Sequence, residues 1–472
     1  MRDLKARTFL ALALLAIGAV LFAIACHPTA CLAETSAEAP PAPKEPAKPQ
    51  PAAGDRKTGQ EAEKYSLSQA MSDKAQLNTI AFSGLAFITG NAGADSFMPP
   101  GKVADFFGFQ YMRDIDIAGY GHNTTFLSKV ANNVLHILDE EQIGKLIGLA
   151  RTQAPLYTRF AYNRFPLMDA FRRRLEGRVP SGADGLEPEA VAEYVRNLYY
   201  FDAELSYNRA VVVGEVIRSF TDEQESYLSK MAFDDSSTWP QVPEDGALKQ
   251  SMGQAEFVAL MTYASELFSW YKGGLDPDVY FCPERHGTYF GGFYMKDLPA
   301  MNNPDYFIST STTGDSGEGF LDILDAKQKL MITKLIDLQR PYLEEAALIR
   351  RQVSAELRNA VSGQGIDKQK VYELVGRYGW LDGMMSALYA EAFAAVNGTL
   401  TDGQRKELLE LRGDGTLPEG AFLFSNPIAM PDLPSADYFF GIGEVPEEAG
   451  RYQIPEGFGL GGERQPKNQV RK

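Results

Sequence analysis

Two stretches of this chain are copies of one another, and no other feature constrains its fold as strongly. LSQAM at 67–71 matches LKQSM at 248–252, an offset of 252 − 71 = 181. Phe107 to Phe290 gives 183, Gln142 to Gln328 gives 186, and Gln224 to Gln404 gives 180. Offsets that hold within six residues over so long a stretch define two copies of a unit of about 165 residues. The units are expected at 65–231 and 246–412, joined by a linker at 232–245 that contains Pro, Asp and Ser.

Each unit reads the same way. An opening helical stretch (66–87; 247–273) leads into a loop-rich aromatic segment (88–125; 274–317). Two long helices and a short closing helix follow. In the second unit Tyr342, Ala346, Ile349, Val353, Leu357 and Ala360 step by three or four and share a face. Past Gly363 and Gly365, the positions Val371, Leu374, Tyr378, Leu381, Met385, Leu388, Ala392 and Val396 do the same. Two such helices joined by a short turn form a hairpin that buries its stripes. Pro155 and Pro341 each lie 13 residues after a motif glutamine, which predicts a kink in each first long helix. The fold class expected is therefore mainly α: two tandem helical-hairpin units with loop-rich aromatic insertions. Residues 413–472 hold seven prolines and ten glycines and no helical period, so they read as an irregular C-terminal segment. Within it, MPDLPSADYFFG (430–441) echoes MPPGKVADFFG (98–108), a partial third copy of the aromatic segment or a coincidence of loop composition.

Four helix starts share one form: LDEEQ (138–142), FTDEQ (220–224), LDAKQ (324–328) and LTDGQ (400–404). The chemistry is a capping box. Asp139, Thr221, Asp325 or Thr401 accepts from the first free amides, and Gln142, Gln224, Gln328 or Gln404 reaches back to the cap amide. The boxes bracket a hairpin in each unit, 224 − 142 = 82 and 404 − 328 = 76 residues apart. With LTDGQ complete and FTDEQ nearly so, the chain resembles the Spy/CpxP family of periplasmic LTxxQ proteins over 138–231 and 324–412. That resemblance implies an all-helical hairpin fold, a periplasmic location, a link to envelope stress and ATP-independent chaperoning of unfolded clients.

Residues 1–33 read as an export signal. Arg2, Lys5 and Arg7 precede the apolar run Thr8–Ala25, and Pro28 breaks it. Three outcomes stay open: cleavage near Ala33, lipidation at Cys26 after Ala23-Ile24-Ala25, or an uncleaved anchor of 18 residues, just long enough to span. All place the body outside the cytoplasm, in the periplasm or outer envelope, and leave a membrane contact only through tether or lipid. The Pro- and Ala-rich stretch 34–64 is that tether. A net charge of −16 argues against a nucleic-acid partner, which needs a basic footprint.

The aromatic segments supply the strongest partner surface. Tyr111-Met112-Arg113-Asp114 and Tyr294-Met295-Lys296-Asp297 repeat ring, thioether, cation and carboxylate, side chains suited to a protein interface. The alternative is rings that cover the end of a hairpin while the charges pair locally. CPERHG (282–287) offers Cys282, Glu284 and His286, three metal-ligand types that need a fourth, from His122 or another acid, to make a site. The first unit has MPPG there, which favours a plain loop. TTGDSGEG (312–319) lacks the ending of a phosphate cradle and is expected to be a flexible loop leading into a helix at Phe320. There is no GxSxG, HExxH or CxxCH. The expectation is a binding protein without catalysis or cofactor, or an assembly subunit, with a metal sensor or metalloenzyme as the third option. Two structural salt bridges are expected, Arg164–Asp202 and Arg350–Asp382, at matching offsets in the two hairpins. Gly376, Gly379 and Gly383 leave one helix face bare for a close neighbour, where the first unit has Arg196, Tyr199 and Ala203.

Overall fold

The computed structural model describes residues 71–89, 124–232, 238–272, 314–412, 421–423, 426–428 and 432–455, all of them within one compact unit spanning residues 63–472. The fold is mainly α. The elements are α1 (Asp73–Thr89), α2 (Thr124–Ile137), α3 (Glu140–Leu175), α4 (Pro188–Arg218), α5 (Asp222–Ser229), α6 (Gly246–Gln250) and α7 (Gln254–Lys272). They continue as α8 (Gly314–Ile323), α9 (Ala326–Arg358), α10 (Lys368–Asn397) and α11 (Asp402–Arg412). A minimal antiparallel pair, Ala421–Leu423 with Asn426–Ile428, and a 3₁₀ turn at Asp437–Phe440 follow. None of the described helices is long and apolar enough to cross a membrane.

Four helices, α3, α5, α9 and α11, start where their boxes place them. Asp139, Thr221 and Asp325 each accept from the amide three residues on, whose glutamine side chain closes the box. Thr401 and Gln404 do the same at α11. Pro155 and Pro341 do not end their helices: α3 and α9 run on past them. One expected loop is a helix. Residues 314–323 form α8, although Gly314, Gly317 and Gly319 penalise a helix on propensity alone. Packing overrides it, because a Cβ on Gly319 would come within 2.9 Å of Leu411. Its counterpart α2 holds no glycine and ends just before the box that opens α3.

The core runs through the whole molecule and ignores the boundary between the two copies. The most extensive helix contact is between α4 and α10, one from each copy, followed by α9 with α10. They run in opposite directions: Gly383 meets Ala192, Gly379 meets Tyr199, and Tyr372 meets Glu204. The bare glycine face of α10 is what admits α4. A Cβ on Gly379 would lie 2.7 Å from Tyr199 Cβ, and one on Gly383 would lie 2.6 Å from Ala192 Cα.

The opening helices are exchanged. α1 packs on α8, α9, α10 and α11, all from the second copy, while α7 packs on α2, α3 and α4 of the first. Matching bonds secure the two exchanges. Gln339 Nε2 donates to Gln76 Oε1 at 2.8 Å, and Tyr263 OH donates to Gln153 Oε1 at 2.7 Å. Gln153 and Gln339 are counterparts, 339 − 153 = 186. On α7 the fully buried Glu266 meets Arg209 of α4 at 2.8 Å. The far end of each exchanged helix returns to its own copy. Arg172 donates to the Phe87 carbonyl and lies 4.7 Å from its ring, and Arg358 donates to the Trp270 carbonyl and lies 5.2 Å from its ring. Helices from the expected first unit, α1 to α5, and from the expected second unit, α6 to α11, thus interlock in space.

Candidate functional site

The four motif glutamines meet in two pairs. Gln142 Nε2 donates to Gln224 Oε1 at 3.2 Å and Gln224 Nε2 to Gln142 Oε1 at 2.7 Å, a closed amide ring. Gln328 and Gln404 form the same ring at 3.3 and 2.7 Å. Each glutamine also closes its capping box with Oε1, and each Nε2 donates to a backbone carbonyl at the end of a neighbouring helix: α4 and α10 for Gln142 and Gln328, α2 and α8 for Gln224 and Gln404. Gln142 takes Ser219 O, Gln224 takes Ile137 O, Gln328 takes Thr399 O and Gln404 takes Ile323 O. The motif is therefore a clasp that fastens the start of a hairpin to the start of its closing helix. Three of the four residues are more than nine-tenths buried. Buried amides must find their partners inside the protein, and these do so in each other and in the neighbouring helix ends.

The four charged side chains expected to pair, one each on α3, α4, α9 and α10, are buried. Arg164, Asp202, Arg350 and Asp382 are all at least 95% buried. Asp202 Oδ1 accepts from Ser206 Oγ at 3.1 Å and Asp382 Oδ2 from Tyr199 OH at 3.2 Å. Burial pushes the Tyr378 phenol up to about 12, with Arg350 pulling it down and Asp382 and Asp202 adding to the rise. Arg350, Asp382 and Asp202 thus converge on one ring at the junction of the two hairpins. The site is deep inside the core and holds the fold.

The surface carries a different kind of site, a groove on α3 and α4 filled by residues 432–455. Tyr438, Phe439 and Phe440 are buried there. Arg173 meets Asp437 Oδ1 at 2.6 Å and lies 4.9 Å from the Phe440 ring. Tyr194 packs edge-on against Phe439 with centroids 4.9 Å apart, and Glu187 N donates to Phe439 O at 2.7 Å. Farther along, Asn163 clamps the backbone of Tyr452, accepting from its N–H at 2.7 Å and donating to its carbonyl at 3.0 Å. Tyr162 OH donates to Asp432 O at 3.1 Å, and Arg159 Nε donates to Tyr452 O at 3.2 Å. Gly441, at φ 72°, turns the chain out of the groove, and Gly450 lets the backbone pass over Tyr194, where a Cβ would lie 2.7 Å from its carbonyl. Burial drives the phenols of Tyr438 and Tyr194 upward; Tyr194 OH donates to Asn163 O at 2.6 Å, and Tyr438 OH shares a hydrogen bond with Tyr452 OH at 3.2 Å. The sequence singled out none of the groove residues. Its one signal was the echo between 430–441 and 98–108.

Several predicted sites lie outside the described residues: Cys26, the segments Tyr111–Asp114 and Tyr294–Asp297, and Cys282, Glu284 and His286. Among the described residues no three of His, Cys, Asp and Glu come together as a metal site. A small cleft of about 90 Å³ sits between α2 and α7, lined in part by His136, Asp245 and Phe257, with room for a few waters. Comparison of the chain with known protein families, curated proteins and solved structures finds no match.

Proposed function

We propose that this chain is an exported cell-envelope binding protein, a non-catalytic assembly subunit that presents its repeated aromatic segments to one protein partner. In this reading the body is a tandem pair of helical-hairpin units, related by an internal two-fold where Tyr199 meets its counterpart Gly379. Residues 1–33 carry it across the membrane and 34–64 tether it. The resemblance of its four capping boxes to those of Spy/CpxP proteins supports the periplasmic setting and the hairpin units.

The observation that carries the assembly role over chaperoning is where the apolar faces go. The hairpins bury theirs against each other and against exchanged opening helices, and the glutamine clasps fasten both bases. The large apolar side chains exposed among the described residues are single ones such as Leu330, Leu338 and Leu348, and such scatter is ordinary surface. A scaffold so closed leaves recognition to the segments inserted between opening helix and hairpin.

The test is a pull-down from envelope extract with the mature chain, read by mass spectrometry. Wild type is compared with a variant carrying Tyr111→Ala, Arg113→Ala, Tyr294→Ala and Lys296→Ala. One stoichiometric partner, lost in the variant, is expected. Many substoichiometric clients retained by the variant would replace this reading with chaperoning.

A further inference from the structure

Among the described residues, no segment fills an equivalent, on α9 and α10 of the second hairpin, of the groove that holds residues 432–455. By the repeat offsets, Arg159, Tyr162, Asn163 and Arg173 of α3 correspond to Glu345, Leu348, Ile349 and Asn359 of α9. Tyr194 of α4 corresponds to Leu374 of α10. Every side chain that reads the bound segment is replaced by one unable to make the same bond. Leu348, in the place of the buried Tyr162, is 54% exposed. The groove is thus not a by-product of packing two long helices. It is a peptide site built on one copy, in which main-chain bonds supply affinity and side-chain pockets supply selectivity. Arg173 selects a carboxylate, Tyr194 selects the aromatic pair after it, and Asn163 and Arg159 hold backbone alone.

The chain carries a second sequence of the selected kind. Ala436-Asp437-Tyr438-Phe439-Phe440-Gly441 is matched by Ala104-Asp105-Phe106-Phe107-Gly108, shorter by one aromatic, and each follows a Met-Pro a few residues earlier. Residues 104–108 lie outside those described. There are two ligands of one chemistry and one groove. We propose that the α3–α4 groove is a docking site for an Ala-Asp-aromatic-Phe segment, closed in cis by residues 436–441. Its exchange occupant is Ala104–Gly108 of a second copy of this chain.

This inference rests on the assembly reading and gives that assembly a mode of self-association. The cis segment wins at low concentration for two reasons. It is tethered, which gives it a high effective concentration, and its Phe440 lies against Arg173, a contact the shorter segment lacks. Replacing 436–441 by 104–108 of a second copy keeps a carboxylate for Arg173 and an aromatic pair for Tyr194, an exchange between copies that makes a dimer at low cost.

The experiment uses a fluorescein-labelled peptide of residues 98–110 and the full chain, read by anisotropy. The groove is vacated by Asp437→Lys with Phe439→Ser, or by Phe439→Ala alone where the double change unfolds the chain. The peptide should bind the vacated chain at least tenfold more tightly than wild type. Adding Arg173→Glu, or putting Asp105→Lys in the peptide, should abolish binding. In sedimentation the vacated chain should self-associate, and Asp105→Lys in that chain should return it to monomer. Binding by a fluorescein-labelled 432–455 peptide but not by 98–110 overturns the assigned occupant. No binding by either peptide to a chain with native circular dichroism overturns the docking site. Peptide binding with a vacated chain that stays monomeric overturns the second copy as its source. The pull-down depends on Tyr111, Arg113, Tyr294 and Lys296, none of them in the groove, so its failure is separable from these outcomes.

Discussion

Gln142 and Gln224 each meet two demands at once, a helix cap and a partner across the hairpin. The first was legible in the sequence, because a cap is local: an oxygen at Asp139 and an amide three residues on suffice. The second was not. The pairing joins residues 82 apart, and it exists because the hairpin brings its own closing helix back to its starting point. The equal bracketing of both hairpins was its only trace. Gln142→Ala should cost about 2 kcal/mol, more than a lost cap, because the buried Gln224 amide also loses one bond at its N–H and one at its oxygen. Gln224→Ala should cost a similar amount. The double variant should cost distinctly less than the sum, a coupling of about 1 kcal/mol or more. Urea denaturation of the four proteins measures it, and strict additivity would reduce the clasp to two independent caps.

At the scale of elements, glycine has opposite meanings in neighbouring helices. Gly144 sits exposed in α3, and a Cβ added there would meet nothing within 4 Å, so it is only a propensity cost. Gly144→Ala should stabilise by about 0.5–1 kcal/mol. Gly383 lies where α10 crosses α4, and its added Cβ would meet the Ala192 backbone at 2.6 Å, an atom with no freedom to move aside. Gly383→Ala should destabilise by about 1–3 kcal/mol despite the better propensity. Shifts of the same sign in the two urea midpoints would contradict this account. The glycine face of α10 was legible as an opening for a neighbour, because spacing of three and four places such residues on one side of a helix. The helix at Gly314–Ile323 was not, because Gly317 and Gly319 look like loop residues until Leu411 of α11 arrives beside them.

For the whole molecule, the exchange of α1 and α7 makes each copy incomplete without the other. The linker, by contrast, contributes a simple connection: Pro243 and Glu244 are exposed between Trp239, packed on Phe268, and the cap Asp245. A protease site inserted between Pro243 and Glu244 should yield, on cutting, two halves that co-elute one to one under native conditions. Refolded alone, the first half lacks α7 and should show no cooperative thermal transition as a monomer. A first half that refolds alone as a stable monomer would mean that α1 serves either copy equally well and that exchange is incidental.

Legible along the chain were the helical class, the four capped starts and the open face of α10. All of these follow from spacing along the chain or from bonds within one turn. The sequence by itself could not determine which copy each opening helix serves. The duplication gives α1 and α7 two docking faces of nearly the same chemistry, and periodicity assigns a face to the interior without saying whose interior it is. Nor could it determine that one hairpin carries a filled groove and the other does not, since that depends on side chains from α3, α4 and the C-terminal segment meeting in space. Tertiary structure decided both, because only the closing of a single core around α4 and α10 fixes the direction from which each remaining helix can cover it.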